Sequence, residues 1–229
     1  MALPVKKTVA LIDGGHLRAM AGSFKIAHEP DFIEEFCNSL AINGEENLNK
    51  VLYYDCRPYN GTQKAPVSGT DIIFNRSASW LDELACRDKF ATRLGQLKWR
   101  GWIPKKIPVA GATLSDSDFG PSFEQKGVDM RLGLDISNIA VRLIYDRILL
   151  VTADHDMIPA MKEARRVGIQ VVLYQLPFLP SRAHRDKLKL ELKSHSDFVR
   201  DAVWPARFFT AAISAASVAP ASASSTPKP

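Results

Sequence analysis

The sequence predicts an α/β fold built on a mainly parallel sheet. Three observations lead there. Apolar runs recur within strand-length segments at residues 5–12, 51–54, 148–151 and 169–174. Stretches with apolar residues at helical spacing lie between them, so strand and helix alternate. Acids follow three of the runs: Asp13, Asp55, and the pair Asp154 and Asp156. In an open parallel sheet the carboxyl ends of the strands share one rim, where ligands bind.

Each element follows from local pattern. Residues 5–12 form the first strand, and residues 14–27 can carry a helix. Phe32, Ile33, Phe36 and Leu40 give residues 30–40 a helical spacing, ended by Asn43-Gly44. Residues 51–54 are the second strand. Residues 58–70, rich in Gly, Pro, Ser and Thr, read as a loop. Ser79 or Asp82 caps a helix through Leu94, with Leu81, Leu84, Ala85 and Leu94 apolar. Residues 97–109 have strand character, interrupted or at an edge because of Pro104 and Pro108. Residues 111–122 are a loop. Val128, Leu132, Ile136, Ile139, Ala140 and Leu143 share one face of a helix over 127–143. The strand at 148–151 precedes a helix over 157–167, with Gly168 as its stop signal. Residues 169–174 are the last core strand, and residues 187–193 a short helix. From Ala211 onward the chain is nearly all Ala, Ser, Pro and Val. The expected division is a domain over 1–203 and a disordered tail over 204–229. No internal repeat is present.

The composition is that of an ordinary globular protein: 229 residues, 46% hydrophobic and 24% charged. No run approaches the ~18 apolar residues of a membrane span. The basic start, residues 1–7, leads into an apolar run that ends at Asp13, too short for a signal-peptide core. A cytoplasmic protein without membrane association is expected. Cys37, Cys56 and Cys86 form no CxxC, so reduced thiols are expected rather than a zinc site. A net charge of +5 favours an anionic partner.

Acids crowded on one rim repel one another unless something positive sits between them, and a divalent cation supplies that. Each acid also has a structural reading. Asp154 or Asp156 can cap the following helix, Asp13 can serve the Gly14-Gly15 turn, and Asp129 at a helix start is favoured by the dipole. Their joint occurrence at strand ends and helix starts favours the metal site. Asp135, nearly two turns beyond Asp129, faces elsewhere.

Four segments, taken in order, are Ala10-Leu11-Ile12-Asp13-Gly14, Gln125-Lys126-Gly127-Val128-Asp129 followed by Asp135, Val151-Thr152-Ala153-Asp154-His155-Asp156, and Ser196-Asp197-Phe198. Together they resemble the NYN domain, in the LabA-like branch of the PIN-like nucleases. The resemblance spans residues 5–201. It implies a PIN-like three-layer α/β/α sandwich and a Mg²⁺- or Mn²⁺-dependent ribonuclease. Asp13, Asp129, Asp154 and Asp156 would then be both the catalytic and the metal-ligating acids. The sequence departs from the family pattern at His16, where Asn is usual, at Ala153, where Gly is usual, and over residues 58–80.

Lys126, Thr152 and His16 are candidate substrate contacts, with a solvated lysine, a strand-end hydroxyl and a surface histidine as their plain readings. His155 is read in the same way as His16. Residues 89–106 carry six basic residues and no acid, with Trp99 and Trp102 interleaved. Alternation puts Leu97, Trp99 and Ile103 on one face and Lys98, Arg100 and Trp102 on the other. Lys98, Arg100 and Trp102 therefore suit an RNA path of phosphate pairing and base stacking, or a charged edge strand. RNA, single-stranded or structured, is the expected partner, with a second copy of the chain as a further one. No GxGxxG follows a strand, and no GK[ST], GxSxG or HExxH occurs. The competing reading is a catalytically weak PIN-like module that binds RNA or protein.

Overall fold

The structure is a computed structural model that describes residues 4–106 and 114–208. Its frame is a sheet of seven strands. In chain order these are β1 (Lys6–Asp13), β2 (Glu46–Cys56), β5 (Phe90–Pro104), β6 (Phe119–Lys126), β7 (Arg147–Val151), β8 (Gln170–Gln175) and β9 (Phe198–Asp201). The strands β3 (Gly61–Lys64) and β4 (Asp71–Phe74) form a separate antiparallel hairpin. The order across the main sheet is β6-β5-β2-β1-β7-β8-β9. All neighbours run parallel except β5 and β6.

Two helical layers cover the sheet. Helices α1 (Gly14–Ser23), α2 (Pro30–Ser39) and α3 (Ser79–Ala85) bury Leu17, Met20, Phe32, Phe36, Leu81 and Leu84 on one face. Helices α4 (Val128–Arg142) and α5 (Ile158–Arg166) bury Val128, Leu132, Ile136, Met161 and Ala164 on the other. Short helices α6 (Ala183–Asp186) and α7 (Leu190–Ser194) follow β8. Alternation serves both layers: Ala10 and Ile12 face the first core, and Val9 and Leu11 face the second. The result is the expected three-layer α/β/α sandwich. Buried Glu46 pairs with Arg147 and Arg200 and so ties the starts of β2 and β7 to β9.

Several expectations need correction. The helix expected through Leu94 stops at Ala85, Lys89 takes a left-handed φ of 69°, and β5 starts at Phe90. Phe90 pairs with Val51 of β2 and is buried in the first core, so long-range pairing overrides the local helical spacing. The loop expected over 58–70 contains β3, and the loop over 111–122 gives way to β6 at Phe119. Strand β9 had no sequence signal. Its Ser196-Asp197-Phe198 motif is structural: the Asp197 carboxylate accepts from the Val171 amide at 2.7 Å and from Arg165 at 2.8 Å. The end of the strand expected over 97–109 falls partly outside the described residues, as does most of the expected tail. Trp204 is buried against Phe24, Phe32 and Phe36.

The long strand β5 sets up the site. Its first half pairs with β2, ending at Cys56 opposite Gly95. Its second half passes the rim and pairs only with β6 as a two-stranded ribbon. Because β6 runs back, Lys126 returns to rim level opposite Gln96, and α4 starts there. Gly127 at that junction has φ 79°, a conformation glycine adopts without strain.

A glycine also keeps the junction tight. A Cβ on Gly95 would lie 2.5 Å from the Lys126 carbonyl oxygen and 2.8 Å from Val128 Cγ2. Gly95→Ala must therefore push the start of α4 away from β5. It should cost about 1–3 kcal/mol of stability, as overpacking does. Urea unfolding checks this; an unchanged midpoint would mean that the junction yields freely.

Candidate functional site

The strand order reverses at β1: the chain moves outward through β2 and β5, then returns to β7 on the other side of β1. The crevice above the carboxyl ends of β1 and β7 is thus the switch point, where ligands of open α/β sheets bind. Asp13 ends β1, and Thr152 follows β7.

Backbone capping fixes both acids at this crevice. Asp13 caps α1, accepting from the His16 amide at 2.9 Å. Asp154 caps the following turn, accepting from the Asp156 amide at 2.9 Å. The cap read from sequence therefore holds at Asp154, and Asp13, read as a turn residue, is itself a cap. Thr152, buried, joins the two strands. Its hydroxyl lies 3.4 Å from Asp13 Oδ2 and accepts from the Asp154 amide at 3.1 Å. Asp129, in the first turn of α4, comes to the same rim through the return of β6.

The acids interact as like charges. Burial raises the Asp13 carboxyl above its ordinary range, the charges of Asp55 and Asp154 raise it further, and the bonds from His16 and Thr152 oppose the rise. Asp129 is raised by burial and then by Asp154, Asp13 and Asp156. The nearby cations are committed elsewhere: Arg18 to Asp55, Arg93 to Asp135, Lys126 to Glu124 and Arg165 to Asp197. Among the described residues none of the four acids has a basic partner.

The donor set is hard oxygen, which suits Mg²⁺ or Mn²⁺ over softer metals. Among the described residues no three His, Cys, Asp or Glu side chains converge on a point that could hold a metal ion. A hydrated Mg²⁺ needs only one or two carboxylates, so a splayed, repelling set fits that ion better than a dehydrated one.

The other candidates divide. His16 is mostly buried and its pKa is lowered to about 4 by burial, so it is neutral at pH 7. Its Nε2, like that of His155, is buried without a hydrogen-bond partner among the described residues. Neither is the surface histidine expected. Asp135 accepts from Tyr54 at 2.8 Å and from Arg93 at 3.1 Å, away from the acids. Asp55 is fully buried and held by Arg18 at 2.6 Å. Arg18 went unnoticed in the sequence, since its partner lies 37 positions away.

The faces of β5 differ from simple alternation. A bulge between Trp99 and Gly101 inserts Arg100 as an extra residue, with Gly101 at φ 105°. Trp102 therefore joins Trp99, with ring centroids 5.1 Å apart. Its indole donates to the Lys64 carbonyl at 2.7 Å. Arg100 pairs with Glu124, and Lys98 is exposed. Trp102 and Arg100 of the expected RNA path thus already have partners within the protein. The aromatic residues Tyr59, Phe74 and Phe123 gather around Trp99 instead.

Among the described residues no helix is long and apolar enough to cross a membrane. No curated protein matches the chain. A Vibrio parahaemolyticus protein described as being of unknown function is similar in structure. It is 14% identical with a TM-score of 0.47, over 86% of this chain and 93% of that one. Residues 90–193 match the family model of the NYN domain, a span that includes Asp129, Asp154 and Asp156 and stops short of Asp13. Over that span the chain is similar to the NYN domain family.

Proposed function

We propose that the protein is a divalent-cation-dependent ribonuclease acting at Asp13, Asp129, Asp154 and Asp156, with Mg²⁺ or Mn²⁺ as the ion. The observation that carries this reading is the unneutralised clustering of carboxylates at the switch point, in which Asp129 feels Asp154, Asp13 and Asp156. A structural role for each acid alone explains the caps but not the mutual repulsion. The NYN family match points the same way, toward nucleases that work on RNA with a divalent metal.

When bound, the ion supplies an activated water and offsets the charge developing on the phosphate. The chain's own residues orient and hold. The caps at Asp13 and Asp154 lock both carboxylates toward the crevice. Thr152 fixes the gap between them. The α4 start, with its positive dipole end, moderates the repulsion at Asp129. We place the functional domain over the packed body through Phe208, which takes in Trp204, with the Ala/Ser/Pro-rich remainder dispensable for catalysis. The second reading, a module that binds RNA without cutting it, draws on the lack of a preformed ligand cage. Titration of Mg²⁺ or Mn²⁺ against labelled RNA separates the two, since only the nuclease yields metal-dependent cleavage.

Asp13→Asn, Asp129→Asn and Asp154→Asn should each lower cleavage by about 100-fold or more, because residues merely supporting metal ligands already cost ~10–100-fold. Thr152→Val should fall within that lower range. Full activity in any Asn variant, with melting unchanged, would remove that acid from the site.

Stability should report the same cluster without any substrate. Folded-state carboxyls raised above the unfolded value make stability fall as pH rises from the ordinary aspartate range through the raised values. At neutral pH, Asp13→Asn should therefore melt no lower than the metal-free parent, since Asn also caps helices well. The gain should vanish below the ordinary aspartate range. Mg²⁺ at a hundredfold excess over its Kd should stabilise the parent by ~2.7 kcal/mol, and Asp13→Asn by less. Thermal melts across pH, with and without the ion, decide it.

A further inference from the structure

A cleft of about 630 Å³ opens beside the acid cluster. Most of its lining comes from two parts of the chain that fit neither layer of the sandwich, the hairpin β3–β4 with its flanks and the ribbon β5–β6, and the rest from α1 and the end of β2. Tyr59 and Phe74 line one side and Phe123 the other, with Gly15, Arg18 and Gln125 toward the rim. The volume lies in the ~300–1,000 Å³ range of sites for compact ligands.

The cleft and the acids share a wall. A Cβ built on Gly15 would lie 3.2 Å from Gln125 Oε1 and 3.3 Å from Asp13 Oδ1, so the cleft lining and the first acid flank the same glycine. Arg18 and Asp55 line the cleft, and Asp55 also acts on Asp13 by its charge. A ligand in this cleft would have its next covalent neighbour at the acid cluster.

Its chemistry is that of a base-binding slot. Phe74 and Phe123 stand edge to face at 5.6 Å, and Tyr59 lies 5.5 Å from Phe123, giving π-faces and edges of several orientations. Arg18 spends a single amino nitrogen, Nη2, on both oxygens of Asp55, at 2.6 and 2.8 Å. The rest of its guanidinium has no described acceptor, and fixed arginine donors suit the acceptor edge of a base. Arg76 also lines the cleft and has no carboxylate partner among the described residues, which suits a phosphate.

Resting on the ribonuclease reading above, we propose that this cleft binds one unpaired RNA nucleotide next to the cleaved phosphodiester. The base stacks on the Tyr59, Phe74 and Phe123 cluster and meets Arg18 with its acceptor edge, while Arg76 pairs with the backbone. A base held in a duplex cannot enter, so the slot selects single-stranded RNA.

The test separates binding from cutting. Binding of a labelled single-stranded RNA and of its duplex is measured on the full chain carrying Asp154→Asn, at several salt concentrations. Phe123→Leu and Tyr59→Leu in that background keep apolar volume and remove a π-face. Each should weaken single-strand binding about five- to a hundredfold and leave the salt slope unchanged. Arg76→Ala should weaken it and flatten the slope by ~0.7. Duplex binding should be weaker from the start and indifferent to the leucine changes. Photo-crosslinking of the parent chain to a single 4-thiouridine, with peptide mapping, needs no variant to fold and should label residues 58–76 or 119–125. Unchanged affinity in both leucine variants, or crosslinks confined to the outer face around Lys98, would overturn the slot. If the slot behaves as described while the parent cuts nothing with Mg²⁺ or Mn²⁺, the ribonuclease reading fails and the slot stands as an RNA-binding site.

Discussion

Like charges held close together at one end of a parallel sheet are the constraint around which this molecule is arranged. Carboxylates left to themselves would swing apart, and here Asp13 and Asp154 are denied that freedom. Asp13 and Asp154 are tied to the backbone amides of the turns they cap. Thr152 sits between them without exposed surface and contacts both sides. The same caps that explain these residues locally are therefore what sustain the repulsion. A cap lowers a carboxyl pKa by hydrogen bonding, while burial and neighbours raise it. At Asp13 the raising contributions win, so its ionised form opposes folding. Stability and proposed activity thus pull in opposite directions at one point, as they do at sites where function is set against folding.

The second constraint is topological. Asp129 follows an antiparallel strand rather than a parallel one, so the rule that parallel strands end at the rim does not bring it there. It arrives because β5 overshoots the sheet and β6 returns to rim level at Lys126. The overshoot needs support, since a two-stranded ribbon is marginal alone. The β3–β4 hairpin supplies it through Tyr59 and Phe74 packed on Trp99 and Phe123, and through the Trp102 bond to the Lys64 carbonyl. Ribbon, hairpin and the position of Asp129 are consequently one mechanical unit.

That division explains what the sequence disclosed. Strands β7 and β8 are buried on both faces and, like residues 9–12 of β1, read as apolar runs; β2 was visible only at its apolar end, residues 51–54. Helices α2, α4 and α5 bury one face and show their period. The rim positions of Asp13 and Asp154 were legible because each ends or follows a parallel strand. The ribbon and hairpin were not legible, because their partners are each other. Phe119–Lys126 contains Gly, Pro, Ser and charge, and becomes a strand only beside β5. The bulge at Arg100 then reverses the side-chain alternation beyond it, which no period-two reading can foresee. Arg18 was hidden for a similar reason: nothing near it in sequence marks it, and Asp55 is its only charged partner among the described residues.

The same unit that positions Asp129 also forms the cleft, and this bears on how substitutions there should be interpreted. Phe74 and Phe123 hold the ribbon to the hairpin and face the cleft at once. Truncating either to alanine removes both the support and the π-surface, so a loss of activity would not separate a displaced Asp129 from a vacated binding surface. Leucine keeps most of the apolar burial and removes only what an aromatic ring adds, which isolates the recognition role. Gly15 makes the complementary point from the acid side. Its missing side chain leaves the space between Gln125 and Asp13 open, and a methyl there would crowd both at 3.2–3.3 Å. A glycine at this position keeps the cleft continuous with the acid rim. The turn after β1 needs Asp13 for its cap and Gly14 for the approach of the Tyr53 ring, where a Cβ would stand at 2.5 Å. Three adjacent residues, Asp13, Gly14 and Gly15, thus serve cap, packing and passage in turn. The short turn after β1 is set by the geometry of the switch point itself.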